Sequence, residues 1–289
     1  MKEFPIQIKL QGLRPDTGEP GAEMLIGLRT LKDGYEGILA PRLITPLEAS
    51  WPFPQLLRLD TYEIVALPDA LYQLDGTVIL SGIPNAGYPW SGAIVGDFIL
   101  LTNNKVVVTG RGYDLAMDTT YLIPAGRCVC ECGGQFVIGA PWMYGEHHPK
   151  SVAWGGVGSA DFTIEEDNVA GLRFAGVGEV LALKKQTFTT IAGLQISFLV
   201  FGTKGVASFV AEDHPIVYKQ RLLSSVGIYS SLAVAGDETK AIYLGTNKKL
   251  YAVADNKVQA LGFEKYFAGV GSEVVFSFDH EQDELWVGF

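Results

Sequence analysis

The chain has 289 residues and a net charge of −10, with 48% hydrophobic and 19% charged residues, which excludes a disordered chain. An acidic chain without a basic stripe is poorly suited to neutralise phosphates, which argues against nucleic-acid binding. No apolar run approaches the roughly 18 residues of a transmembrane helix, and the N-terminus lacks the apolar core of a secretory signal. We therefore expect no membrane insertion.

The first sixty residues differ from the rest of the chain. Phe4–Leu10 alternates apolar and polar side chains and predicts one strand. Leu13–Glu48 is rich in proline and glycine and predicts a long irregular arm, and such segments often serve in interactions. The sequence therefore divides into a strand and extended arm over residues 1–60 and a body over residues 61–289.

The body consists of short apolar runs separated by polar turns. Phe98–Leu101 and Val106–Thr109 flank one such turn, and continuous apolar runs of this length predict a hairpin buried on both faces. In the first half of the chain the predicted hairpin centres lie near Asp69, Asn103 and Gly133. The same pattern predicts strands over the following segments: 197–201, 206–210, 241–244, 250–253, 257–261, 273–278 and 284–289.

These hairpins recur at a spacing that identifies the fold class. Thr203 and Thr246 occupy equivalent turn positions about 40 residues apart, a period typical of β-propeller blades. The length allows about six blades, and Phe4–Leu10 would complete the last one. A pair of β-sandwiches is the alternative, although it would show more regular alternation. No stretch of about 12 residues has the periodicity of a helix, and Ala211–Leu223 has room for one or two helical turns. The prediction is an all-β, roughly six-bladed propeller.

No segment carries a recognisable catalytic motif. The sequence contains no G-x-S-x-G nucleophile turn and no complete dinucleotide-binding glycine pattern. We therefore predict no enzyme activity and no cofactor.

Two clusters contain residue types that can bind metal ions. Cys128, Cys130 and Cys132 would share one face of a strand, without the C-x₂-C turn of zinc sites, so we expect core cysteines in a protein folded in a reducing cytosol. His147 and His148 would be needed to complete a zinc site. The acidic segment 161–167 lacks the spacing of a calcium loop and is expected to be a solvated loop.

Four aromatic residues on predicted loops suggest an alternative function, the binding of a cell-surface glycan or protein receptor by a propeller face. They are Trp90, Trp142, Tyr144 and Trp154.

Three stretches resemble a class of bacteriophage virion proteins, the tail hub or nozzle proteins with a β-propeller body. The stretches are Gly34–Pro41 with Trp51–Leu56, Val152–Phe162 with Val169–Arg173, and Phe198–Val206 with Ser225–Tyr229 and Ile242–Tyr251. The resemblance covers about two-thirds of the chain and does not extend to the additional tail-side domains of longer members.

This resemblance implies a structural protein of the phage tail, assembled in the bacterial host cytoplasm. Identical subunits would form a ring that connects the portal and adaptor proteins to the distal tail, with genomic DNA passing through it. Interface residues are expected in the arm, because aromatic and apolar side chains dominate interface energies. The candidates are Tyr35, Leu39, Trp51 and Phe53.

Overall fold

The structure is a computed structural model that describes residues 28–31, 34–37, 55–84, 89–164, 169–191, 193–212, 218–279 and 284–288. In the predicted arm it contains one antiparallel hairpin, β1 (Leu28–Leu31) with β2 (Gly34–Gly37). The predicted strand Phe4–Leu10 lies outside the described residues.

Most of the body is divided into four-stranded antiparallel sheets, each a blade whose first strand is innermost. Blade 1 contains β3 (Gln55–Leu59), β4 (Tyr62–Ala66), β5 (Ala70–Gln73) and β6 (Val78–Ser81). Blade 2 contains β7 (Ser91–Val95), β8 (Phe98–Thr102), β9 (Val107–Arg111) and β10 (Asp114–Met117). Blade 3 contains β11 (Cys128–Cys132), β12 (Gln135–Gly139), β15 (Ser151–Trp154) and β16 (Gly171–Phe174), with an inserted hairpin of β13 (Trp142–Met143) and β14 (Glu146–His147).

The remaining sheets continue the same order. Blade 4 contains β17 (Val180–Thr190), β18 (Gly193–Gly202), β19 (Gly205–Ala211) and β20 (Tyr218–Ser224). Blade 5 contains β21 (Val234–Gly236), β22 (Lys240–Leu244), β23 (Leu250–Ala254) and β24 (Lys257–Gly262). A short helix α1 (Glu264–Phe267) precedes blade 6, in which the structure describes β25 (Val275–Asp279) and β26 (Glu284–Gly288).

The six sheets form a β-propeller. Neighbouring innermost strands pack side by side, β3 with β7, β7 with β11, β11 with β17 and β21 with β25. Residues of all six innermost strands or their adjoining turns line one central cavity, as the axis of a propeller requires. The predicted fold class and the predicted hairpin positions are confirmed.

The core lies between the blades, which explains the continuous apolar runs. Ile99 belongs to the cluster shared by blades 1 and 2, whereas its neighbour Leu100 belongs to the cluster of blades 2 and 3. Phe198 packs between blades 3 and 4, and Phe201 between blades 4 and 5. All four side chains are fully buried, because successive residues of a strand point to opposite faces and both faces are covered.

Blades 4 and 5 are joined through Ser225–Tyr229, one of the segments that carry the phage resemblance. The backbone nitrogen of Ile228 donates to the carbonyl of Gly202 in the blade 4 turn at 2.9 Å. In the blade 5 turn, the nitrogen of Thr246 donates to the carbonyl of Gly227 at 2.8 Å. The link therefore ties the equivalent turns of two consecutive blades together.

The described part of Ala211–Leu223, where the sequence left room for one or two helical turns, consists mainly of strand. In blade 4, β19 ends at Ala211 and β20 begins at Tyr218, and residues 213–217 between them lie outside the described residues. As an outermost strand, β20 buries Tyr218 but exposes Lys219 and Arg221, so its sequence lacks the apolar run of an inner strand. The four-residue helix α1 was not predicted.

Candidate functional site

The axial pocket is the central cavity enclosed by the innermost strands, with a volume of about 520 Å³. Its wall carries basic and acidic side chains in equal number. It is a candidate site because several polar groups converge in one concave space.

Three of these charges form an ion-pair triad across three blades. Lys185 of blade 4 places its Nζ 2.8 Å from Glu131 Oε2 of blade 3 and 3.0 Å from Glu238 Oε1 of blade 5. Burial lowers the pKa of Lys185, but the hydrogen bonds to the two carboxylates outweigh it and raise the pKa to about 12. The triad therefore joins blades 3, 4 and 5 at the pocket and carries one net negative charge.

The preceding residue, Lys184, points to the opposite face of β17 and also lines the pocket. Burial lowers the pKa of its ammonium group. The nearby thiol of Cys130 opposes this lowering, and burial raises the pKa of that thiol well above its usual value. The pKa is therefore lowered for Lys184 and raised for Lys185, although the two residues are consecutive.

The three cysteines are core residues, as the sequence predicts. Cys128, Cys130 and Cys132 are buried and belong to the cluster between blades 3 and 4. Burial raises the pKa of Cys128 and of Cys132 to about 12 in each case. Among the described residues, no three His, Cys, Asp or Glu side chains are grouped so as to hold a metal ion.

The inserted hairpin of blade 3 exposes aromatic side chains. Trp142 is 44% exposed and Tyr144 71% exposed. The indole of Trp142 stacks on the imidazole of His147, with ring centroids 4.7 Å apart and planes 13° from parallel. His147 is partly buried, and this burial lowers the pKa of its imidazole. The hairpin therefore presents a rigid aromatic edge to solvent.

The other two predicted glycan-binding aromatics are structural. Trp90 and Trp154 are 3% and 7% exposed. Their indole nitrogens each donate to a backbone carbonyl at 2.8 Å, that of Leu67 and that of Val169, respectively. Of the four aromatic residues predicted to form a glycan-binding face, two therefore lie in the core and two, Trp142 and Tyr144, are exposed.

Sequence reasoning missed two further exposed apolar residues beside this hairpin, Tyr121 and Leu122, which are 90% and 73% exposed. Their loop is held against the hairpin, since the backbone nitrogen of Trp142 donates to the carbonyl of Ala125 at 2.7 Å. The available signal was the apolar run Tyr121–Ile123, which directly follows the polar segment Asp118–Thr120.

A second projecting element is the tip of blade 4. Residues 187–190 pair with 193–196 of β18, whereas β19 pairs with β18 only from Ser197 onward. The two-stranded tip therefore extends past the rest of the sheet by about 13 Å at 3.3 Å per residue. Ile191 is fully exposed at its end and Leu194 is 67% exposed.

The predicted interface residues are mostly outside the described part of the chain. Tyr35 lies on β2, where it pairs with Thr30. Leu39, Trp51 and Phe53 lie outside the described residues. The predicted acidic loop is described only in part, at Asp161, whose Oδ1 accepts a hydrogen bond from the backbone nitrogen of Thr163 at 2.9 Å.

No protein-family model and no curated protein matches the chain. Among solved structures, Hsv2 of Kluyveromyces lactis is similar with 9% identity and a TM-score of 0.39 over 78% of this chain and 81% of that one. The WD40 domain of SCAP from fission yeast has 8% identity and a TM-score of 0.38 over 75% and 52% of the two chains. The computationally designed protein Ika8 has 13% identity and a TM-score of 0.41 over 88% and 89%. These likenesses are too distant to carry an argument about function.

No helix in the described part of the chain combines the length and the apolar character needed to cross a membrane.

Proposed function

We propose that the protein is a structural subunit of a bacteriophage tail, which assembles with identical copies into a ring around the DNA channel. The observation that carries the assembly role is the tip of blade 4, a projecting hairpin that exposes Ile191 and Leu194. Exposure of apolar side chains to water is unfavourable in a monomer. Their burial against a partner stabilises an interface, so an exposed apolar tip favours an assembly contact.

The phage assignment rests on the resemblance of the sequence segments. Two examples of their positions in the propeller frame are Gln55 and Ser225–Tyr229. Gln55, in the first motif, begins blade 1 and accepts a hydrogen bond from the backbone nitrogen of Trp90 at 2.5 Å. Ser225–Tyr229 ties blade 4 to blade 5. A rigid frame of this kind suits a subunit that transmits force between the portal and adaptor proteins and the distal tail.

The assembly role is tested by sedimentation velocity on the full chain and three variants. We expect Ile191→Asp combined with Leu194→Asp to shift the protein from oligomer to monomer, because a carboxylate cannot be buried unpaired in an apolar contact. Val157→Asp is the matched control, since Val157 is 54% exposed on a loop of blade 3. Deletion of residues 11–48 tests the arm separately. An oligomer that survives the combined Ile191→Asp and Leu194→Asp change, or that Val157→Asp dissociates equally, would contradict the proposed contact of the blade 4 tip.

The second candidate function is recognition of a glycan by the blade 3 hairpin. The stacked pair Trp142 and His147, with Tyr144 beside it, favours this function, because sugar rings pack against exposed aromatic faces. A glycan array with the full chain and with Trp142→Ala tests it. Loss of a defined glycan signal in the variant supports recognition, and a chain that binds no glycan excludes it.

A further inference from the structure

The seam between blade 6 and blade 1 is the one contact between neighbouring blades at which the described residues form no shared core. Separate clusters of buried residues join blade 1 to blade 2, blade 2 to blade 3, and blade 3 to blade 4. A fourth cluster joins blades 4, 5 and 6. The apolar face of a sheet must be buried against another element, so a covering element is expected at this seam.

Blade 1 presents an apolar row to the seam. The row consists of Leu56, Val65, Tyr72 and Val78, which are paired in this order across the four strands and therefore share one face. The opposite face carries Ile64 and packs on blade 2, so the row faces blade 6. Leu56 and Val78, at the two ends of the row, are 46% and 54% exposed. Val65, in the middle, is buried but belongs to none of the four clusters.

Blade 6 presents the other wall of the seam and a free sheet edge. Phe276 and Val287 are paired on the face that packs on blade 5. Trp286 lies on the opposite face, paired with Ser277, and is 39% exposed. Each other blade has four paired strands, whereas no described strand pairs with the outer edge of β26. The backbone groups of β26 that point away from β25 can therefore accept a further strand.

The segment Phe4–Leu10 has the pattern that this position requires. Its apolar side chains alternate with Pro5, Gln7 and Lys9, so a strand of this sequence has one apolar face. The β1–β2 hairpin, which also precedes blade 1, forms a sheet of its own. Residues 11–54 connect the segment to blade 1, and a connection of this length spans far more than the roughly 15 Å width of a four-stranded blade. A strand tethered in this way is favoured over one from another copy by its high effective concentration.

We propose that Phe4–Leu10 of the same chain pairs with the outer edge of β26 and packs its apolar face on the row of blade 1. The sequence alone predicts that this segment completes the last blade; the structure identifies the seam that it covers and the side chains that receive it. In this position the segment joins blade 6 to blade 1 and closes the ring of six blades. The closure belongs to each subunit by itself and does not depend on assembly.

Hydrogen exchange of the full chain tests the pairing. Amides of β26 that point away from β25 exchange rapidly if the edge is free and slowly if a strand pairs with it. We expect slow exchange in the wild type and exchange faster by about tenfold or more when Ile6→Ser is combined with Ile8→Ser. The combination of Gln7→Ser with Lys9→Ser, on the other face of the same strand, is the matched control and should leave the exchange slow.

A change in blade 1 tests the packing without altering the segment or β26. Val78→Ser should accelerate the exchange of the same β26 amides by about threefold, because it weakens the surface that holds the strand. Val157→Ser is the matched control, since Val157 is also 54% exposed but lies on blade 3. The amide of Ile99, in the cluster of blades 1 and 2, should stay slow in all four variants and so excludes global unfolding as the cause.

Rapid exchange of β26 in the wild type, equal exchange in a variant and its control, or acceleration that extends to Ile99 would overturn the proposal. Protection that is present in an oligomer but lost in the monomer would overturn it too, because another copy would then supply the strand. Light scattering identifies the monomer by its mass of 31.3 kDa. A monomer that keeps the protection supports the closure even where no ring of subunits forms, so the two proposals fail separately.

Discussion

At the scale of single residues, Tyr218 shows how buried polar groups organise the contact between blades 3 and 4. Its hydroxyl donates to Gln135 Oε1 at 2.8 Å, and the Gln135 amide nitrogen donates to the carbonyl of Gly155 at 2.6 Å. We expect Tyr218→Phe to lower the free energy of unfolding by about 1–3 kcal/mol, because Gln135 Oε1 is left without a partner. Urea denaturation measures the loss. Tyr144→Phe, at an exposed position, is the control, and an equal effect in both variants would contradict this explanation.

The cysteines give a prediction for pH dependence at the same scale. Burial raises the pKa of Cys128 and Cys132 to about 12, so the native thiols stay protonated at pH 8. A disulfide reagent should therefore modify none of the three cysteines rapidly in the native protein and all three after unfolding. Between about pH 9 and pH 12 the unfolded chain releases thiol protons that the folded chain keeps, so stability falls as pH rises. Rapid native labelling at pH 8 would contradict the burial.

At the scale of elements, the link between blades 4 and 5 depends on a glycine. A Cβ added at Gly227 would overlap the backbone carbonyl of Thr203, which cannot move without breaking the blade 4 turn. We expect Gly227→Ala to cost about 1–3 kcal/mol, the range of overpacking substitutions, with the loss measured by urea denaturation. Gly269→Ala is the matched control, since nothing lies within 4 Å of its added Cβ. Equal stability of the two variants would show that the link is not close-packed.

The ion-pair triad gives a second prediction for elements. Lys185→Met leaves Glu131 and Glu238 without their shared partner and should cost about 1–3 kcal/mol. Lys219→Met, which removes an exposed pair with Glu212, should cost at most about 1 kcal/mol. Because the folded pKa of Lys185 is about 12, above its usual value of 10.5, the wild-type advantage is complete below pH 10.5 and declines as pH rises through 12. An advantage that grows at alkaline pH would contradict this assignment.

Sequence reasoning succeeded where a polar turn separates two apolar runs. The turns at Asn103 and Gly133 lie between strands that are covered on both faces, so the local pattern was sufficient. It failed for β20, because an outermost strand is half exposed and mixes polar with apolar residues. The axial site was invisible for a different reason: Glu131, Lys185 and Glu238 are far apart in the chain and meet only when three blades surround one axis.

At the scale of the whole molecule, the propeller is a frame that displays projecting elements. Six sheets around one axis fix the innermost strands, while the blade 4 tip and the blade 3 hairpin extend beyond their sheets. The two projections expose different chemistry, aliphatic at Ile191 and Leu194 and aromatic at Trp142 and Tyr144. Assembly through the first would leave the second free for another partner.

The most direct test of the proposed ring is the molar mass of the full chain in solution, measured by light scattering across a concentration series. One subunit has a mass of 31.3 kDa. The proposal predicts a discrete multiple of this mass, reached by the protein alone or after addition of portal and adaptor proteins, as expected for a ring closed by identical contacts. A mass of 31.3 kDa at every concentration, unchanged by those proteins, would contradict it.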